Sequence, residues 1–120
     1  MSKDGRRILI VDDDFDFAES VSDILEMSGH DVVTVHSGEA AIECFRTESF
    51  DLALIDVQMP AKNGVESFLE ICAIQPRVHA VIMTGYSVPG LLDTAVLHGA
   101  LGGLKKPLDI PKLIEYVEQP

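Results

Sequence analysis

Positive charge is scarce in this 120-residue sequence, with 9 Lys and Arg against 20 Asp and Glu, a formal net charge of -11. A nucleic-acid backbone demands a basic face, so nucleic acid is excluded as a direct partner. Cysteine is nearly absent too. The two present, Cys44 and Cys72, fall in helix-like segments without metal-ligand spacing, which excludes a disulfide framework and predicts reduced core thiols. No apolar run approaches the roughly 18 residues that a membrane span needs, and "MSKDGRR" carries no apolar leader. These absences predict a soluble, cytoplasmic protein with no membrane partner. What is present is enough apolar material for a core, since 47% of the residues are hydrophobic, and disorder is excluded as the main state. The length suits one domain, placed at residues 7–120 after a short tail at 1–6.

Short apolar runs alternate with longer amphipathic ones. "RILIV" (7–11), "DVVTV" (31–35), "LALI" (52–55), "HAVIM" (79–83) and the glycine-rich "LGGL" (101–104) read as strands. Between them, residues 15–28 predict a helix with Phe17, Val21, Ile24, Leu25 and Met27 as its apolar set, closed by Gly29. Residues 37–49 predict a second helix, with Ser37 as N-cap and Ala41, Ile42 and Phe45 facing inward. Residues 64–74, 87–99 and 109–119 predict three more, Pro89 being tolerable only in a first turn. Five strand–helix units with short connections imply an α/β fold, a doubly wound parallel sheet with helices on both faces. In such sheets, ligands bind beyond the carboxyl ends of the strands.

Those ends carry Asp12, Asp13 and Asp14 after the first strand, His36 after the second, Asp56 after the third, Thr84 after the fourth, and Lys105 and Lys106 after the fifth. Two unit charges about 4 Å apart interact by roughly 4 kcal/mol at an effective dielectric of 20, so clustered acids call for a cation. Mg²⁺ suits oxygen ligands of this kind, and a lysine opposite them shapes the site for a phosphoryl group. Asp56 is the acid best placed as a nucleophile, since carboxylates form aspartyl phosphates, and Thr84 is positioned to donate to a phosphoryl oxygen.

"ILIVDDD", "DLALIDVQMPAKNG", "VIMTG" and "KKPLD" follow in order and spacing. In this the chain resembles a response-regulator receiver domain of two-component signal transduction, of the chemotaxis-regulator kind, from about Arg7 to Val117. That resemblance implies a flavodoxin-like (βα)5 fold with strand order 2-1-3-4-5. It implies that Asp56 is the phosphoacceptor for a sensor histidine kinase or phosphotransfer protein. Asp12 and Asp13 would organise Mg²⁺, with Asp13 a direct ligand, together with Asp56 and the backbone carbonyl of Gln58. Thr84 matches the switch hydroxyl, and Lys106 the phosphate-binding lysine, with a cis peptide to Pro107. A downstream effector domain or protein would read the phosphorylated state. A homodimer through the face of the fourth helix, fifth strand and fifth helix is a further implication, to which Leu101 and any exposed Leu91, Leu92, Val96 or Leu97 would contribute.

One position departs from the pattern. Receivers commonly carry Tyr or Phe three residues before the lysine, where this chain has Gly103. The usual aromatic switch cannot operate there. A receiver-like interaction module that signals without phosphorylation is therefore the alternative. Asp14 reads either as a third metal ligand or as a helix cap, and Tyr86 either as a barrier to water or as a ring packed on the next helix. Lys105 reads as an exposed charge, and His30, His36, His79 and His98 as ordinary surface or partly buried residues. An aspartyl-phosphate phosphatase would need an acid where Gln58 stands, and a flavin-phosphate loop would not be written "DDDFD". The chain is thus expected to be a signalling domain rather than a turnover enzyme.

Overall fold

Apolar runs four or five residues long, without polar alternation, must be covered on both sides, and the fold does this with helices. The computed structural model describes residues 5–57, 64–84, 96, 99–106 and 108–118. The elements run β1 (Arg7–Val11), α1 (Phe15–Met27), β2 (Asp31–Val35), α2 (Gly38–Thr47), β3 (Leu52–Asp56), α3 (Gly64–Ile74), β4 (His79–Thr84), β5 (Gly102–Lys105) and α4 (Ile110–Val117). Apart from Val96 and Gly99, the helix expected over 87–99 lies outside the described residues. All neighbouring strands pair in parallel, in the order β2-β1-β3-β4-β5. The expected fold class and strand order are both present.

Side chains alternate across each strand and so feed two cores. Leu9, Val11, Ala53, Ile55, Ala80 and Ile82 pack with Ala41, Ile42 and Phe45 of α2 and Phe68 and Ile71 of α3. Ile8, Ile10, Leu52, Leu54, Val81 and Met83 pack on the other face with Ala18, Val21 and Leu25 of α1 and Leu113 and Val117 of α4. Each large apolar side chain buried in this way contributes about 1.5–3 kcal/mol. Both cysteines are partly buried against the first core, and burial pushes their thiols up.

Helix starts follow the capping residues. The Asp14 carboxylate accepts the Phe17 N–H at 3.1 Å, Ser37 accepts from Ala40 at 3.1 Å, and Asp109 accepts from Lys112 at 3.2 Å. Gly29, at φ 95°, closes α1 in the left-handed region that a side chain disfavours. Met27 does not join the apolar face as its sequence spacing suggested. It is 88% exposed, because residues two apart, here Leu25 and Met27, do not share a helix face. Ala18 takes a buried place instead. His30 is also a correction, being buried rather than partly exposed. Its Nδ1 accepts the Arg6 N–H at 3.0 Å, tying the start of β1 to the turn after α1, and its Nε2 lies 3.8 Å from the Glu118 carboxylate. Among the described residues, no helix is long and apolar enough to cross a membrane.

Replacing Asp14 by Ala removes the α1 cap and is expected to lower unfolding free energy by about 1 kcal/mol, with Asp14→Ser retaining most of it. Urea titration of the three proteins, read by circular dichroism, checks this.

Candidate functional site

The strand register brings the ends of β1, β3, β4 and β5 to one rim. Val11 pairs with Ile55, Asp56 with Met83, and Thr84 with Lys105. Asp12 therefore emerges beside Asp56, and Lys106 one residue beyond Thr84, whose carbonyl accepts the Lys106 N–H at 2.8 Å. Asp12 and Asp56 are buried, Asp13 is exposed, and Thr84 is half-buried. One carboxylate oxygen from each of Asp12, Asp13 and Asp56 falls within a cluster no more than 4.8 Å across.

The first acid is held from several sides. Asp12 Oδ1 accepts the Asp14 N–H at 2.9 Å, and Oδ2 accepts from Lys106 Nζ at 2.7 Å. Its backbone carbonyl lies 2.9 Å from His36 Nδ1. A carbonyl only accepts, so Nδ1 carries the proton in that contact. His36 stacks on Phe15 with ring centroids 3.6 Å apart. Lys106 Nζ also donates to Asp56 Oδ2 at 3.3 Å, and it stands 4.2 Å from the centre of the Phe17 ring. One ammonium thus bridges the two buried carboxylates.

That bridge sets the lysine's protonation. Burial alone would lower its pKa, but the hydrogen bond from Lys106 to Asp12, the charges of Asp56 and Asp12 and the bond to Asp56 outweigh it, and the net direction is upward from 10.5. Chemically, the rim offers a buried strand-end carboxylate, an acid cluster within reach of one hard divalent cation, and a fixed positive charge. Such a set suits the transfer of a phosphoryl group.

The family model for the response regulator receiver domain matches residues 8–118. The chain belongs to the response-regulator receiver family. Among curated relatives of this receiver, the transcriptional regulatory protein ZraR of Escherichia coli (strain K12) is 37% identical over 119 residues, covering 99% of this chain and 27% of that protein. A response regulator receiver protein of Anaeromyxobacter sp. (strain Fw109-5) is 36% identical over 110 residues, or 92% of this chain and 46% of that one. The receiver therefore spans less than half the length of either relative. Among solved structures, a CheY-like receiver domain protein from Methanospirillum hungatei JF-1 superimposes with TM-score 0.89 at 29% identity, over 94% of this chain and 90% of that one. The response regulator TrrA of Thermotoga maritima, solved in complex with Mg²⁺ and BeF, gives 0.84 at 28%, over 93% and 96%.

Of the residues singled out in the receiver sequence, Asp12, Asp13, Asp56 and Lys106 stand together, with Thr84 at the adjoining strand end. Lys105 is exposed. Gln58, Tyr86, Pro107 with its expected cis peptide, and Leu91, Leu92 and Leu97 lie outside the described residues. Gly103 pairs with Ile82, so the strand position expected to carry the aromatic is the one that glycine fills. One neighbour of the site, Phe17, escaped sequence reasoning, because it read as core. His36 stands at the strand end where the sequence put it, but its contacts with Asp12 and Phe15 carry no sequence pattern.

Lys106→Met leaves two buried carboxylates without their cation and is expected to cost about 1–3 kcal/mol in metal-free protein. Because the folded lysine's pKa lies above the unfolded 10.5, its contribution is complete below 10.5 and lost as pH rises through the folded value. The wild-type minus mutant difference, measured by urea unfolding in a chelating buffer, should stay level from neutral pH and shrink only in strong alkali.

Proposed function

We propose that this receiver is a phosphoacceptor that takes a phosphoryl group onto Asp56 from the phosphohistidine of a sensor histidine kinase or phosphotransfer protein. One observation carries this reading: a strand-end carboxylate shares an ammonium with a second buried acid and lies within one cation's reach of Asp12 and Asp13. An Asp56 carboxylate oxygen attacks phosphorus, the bond from phosphorus to the donor's imidazole nitrogen breaks, and that nitrogen keeps the electron pair. Lys106 turns one N–H from a carboxylate to a phosphoryl oxygen, and the Thr84 hydroxyl donates to another.

The donor set fits Mg²⁺, a hard cation usually held by one or two carboxylates and water. Asp12 already has both oxygens engaged, by the Asp14 N–H and by Lys106, whereas Asp13 is exposed. That difference supports Asp13 as the direct ligand, beside Asp56 and the Gln58 carbonyl, with Asp12 orienting the group. Bound there, the ion would offset the negative charge of the acids and the phosphoryl group.

Phosphorylation changes the charge at the end of β3 and shifts an equilibrium between two surfaces. The reader of that change is an effector domain or protein. ZraR is a transcriptional regulatory protein by name, which supports a transcriptional output for the effector that reads this change. A homodimer through β5, α4 and the segment between β4 and β5 belongs to the same reading, as do a cytoplasmic location and a signalling rather than turnover role. Gly103 favours one other possibility, a module whose partner binding ignores phosphorylation.

Incubation with acetyl phosphate and Mg²⁺, followed by intact mass spectrometry, is expected to show one phosphoryl adduct that Asp56→Asn and chelator both abolish. No adduct in the wild type, or one that persists in Asp56→Asn, would overturn the acceptor reading. Partner binding unchanged in Asp56→Asn would select the phosphorylation-independent module.

A further inference from the structure

Lys106 is held by unequal means. Its ammonium has three N–H groups, and those turned to Asp12 Oδ2 and Asp56 Oδ2 span 2.7 and 3.3 Å. A long, flexible lysine, 21% exposed here, has water as a competing partner. The Phe17 ring stands 4.2 Å from Nζ, well inside the roughly 6 Å over which a ring face attracts a cation. Phe17 is itself fixed. It is the third residue of α1, its N–H is taken by the Asp14 cap, and its side chain is partly buried against the core shared by α1 and α4.

We propose that Phe17 is a positioning residue for phosphoryl transfer, its ring face keeping the Lys106 ammonium at the acid cluster where the phosphoryl oxygens arrive. The inference rests on the reading of Asp56 as phosphoacceptor. A ring suits this task better than a polar group would. It attracts the ammonium without accepting a directed hydrogen bond, so Lys106 turns an N–H from Asp12 to a phosphoryl oxygen while the cation stays over the ring. A carboxylate or amide at position 17 would have to release the lysine first. Phe17 also carries no donor or charge of its own with which to compete for the incoming group.

The test begins with metal-free protein and no phosphodonor. In carbon–proton correlation spectra, the Lys106 methylene protons nearest Nζ are expected upfield of those of exposed lysines, because they lie in the shielding cone of the ring. Phe17→Leu should return them to ordinary positions, while Phe17→Tyr, which keeps the ring, should hold them. With saturating Mg²⁺ and acetyl phosphate, adduct formation should slow about three- to tenfold in Phe17→Leu and stay within about twofold of wild type in Phe17→Tyr. Ordinary Lys106 shifts in the wild type would overturn the proposal even if Phe17→Leu failed to fold. So would a Phe17→Leu protein that takes up phosphoryl at the wild-type rate. Failure of the wild type to form any adduct would instead overturn the acceptor reading on which the proposal stands.

Discussion

The rim of this sheet depends on one ammonium group shared by two acids that the fold has buried. Asp12 and Asp56 leave adjacent strands at the same level, and the parallel register admits no other outcome once Val11 pairs with Ile55. Two carboxylates in that position repel each other strongly at low dielectric. Lys106, arriving from the far end of β5, relieves the repulsion and links the middle of the sheet to its edge. A group entering the rim between these acids would meet that bridge, whose lysine stands at the end of β5.

The turn after β1 serves the same end by local means. Asp12 accepts the Asp14 N–H, Asp14 in turn caps α1, and the capped turn delivers Phe17 beside Lys106. Three consecutive acids thus have three different surroundings: buried and doubly bonded, exposed, and capping. On β5, Gly103 leaves no ring on its side of the strand. On the opposite side, Gly102 lies against Tyr116 of α4, so closely that a Cβ there would clash with the tyrosine hydroxyl. The aromatic group nearest this part of β5 therefore belongs to the last helix rather than to the strand, among the described residues.

Much of this was legible in the sequence, and the exceptions have physical reasons. Unbroken apolar runs such as "RILIV" show buried parallel strands, and an acid directly after such a run must sit at a strand end. The same rule puts Asp12, Asp56 and the polar Thr84 at strand ends. Lys105 and Lys106 are separated by geometry: one ends the strand and is exposed, while the other begins the turn toward the acids. Strand order came from family resemblance, because periodicity alone says parallel without saying which neighbour. Met27 misled because it is apolar yet stands two residues from Leu25, off the helix face that meets the sheet. Phe17 was missed for a different reason. A ring in an amphipathic helix reads as core, and only tertiary packing shows that its face meets a lysine 89 residues away in the chain.

The claim on which everything else rests is that the acids form one cation site. The most direct measurement is the midpoint of thermal unfolding, with and without Mg²⁺, for the wild type and Asp13→Asn. An ion held only by the folded cluster should raise the wild-type midpoint in a concentration-dependent way and leave Asp13→Asn nearly unmoved. A wild-type midpoint that ignores Mg²⁺, or an equal rise in both proteins, would contradict the account.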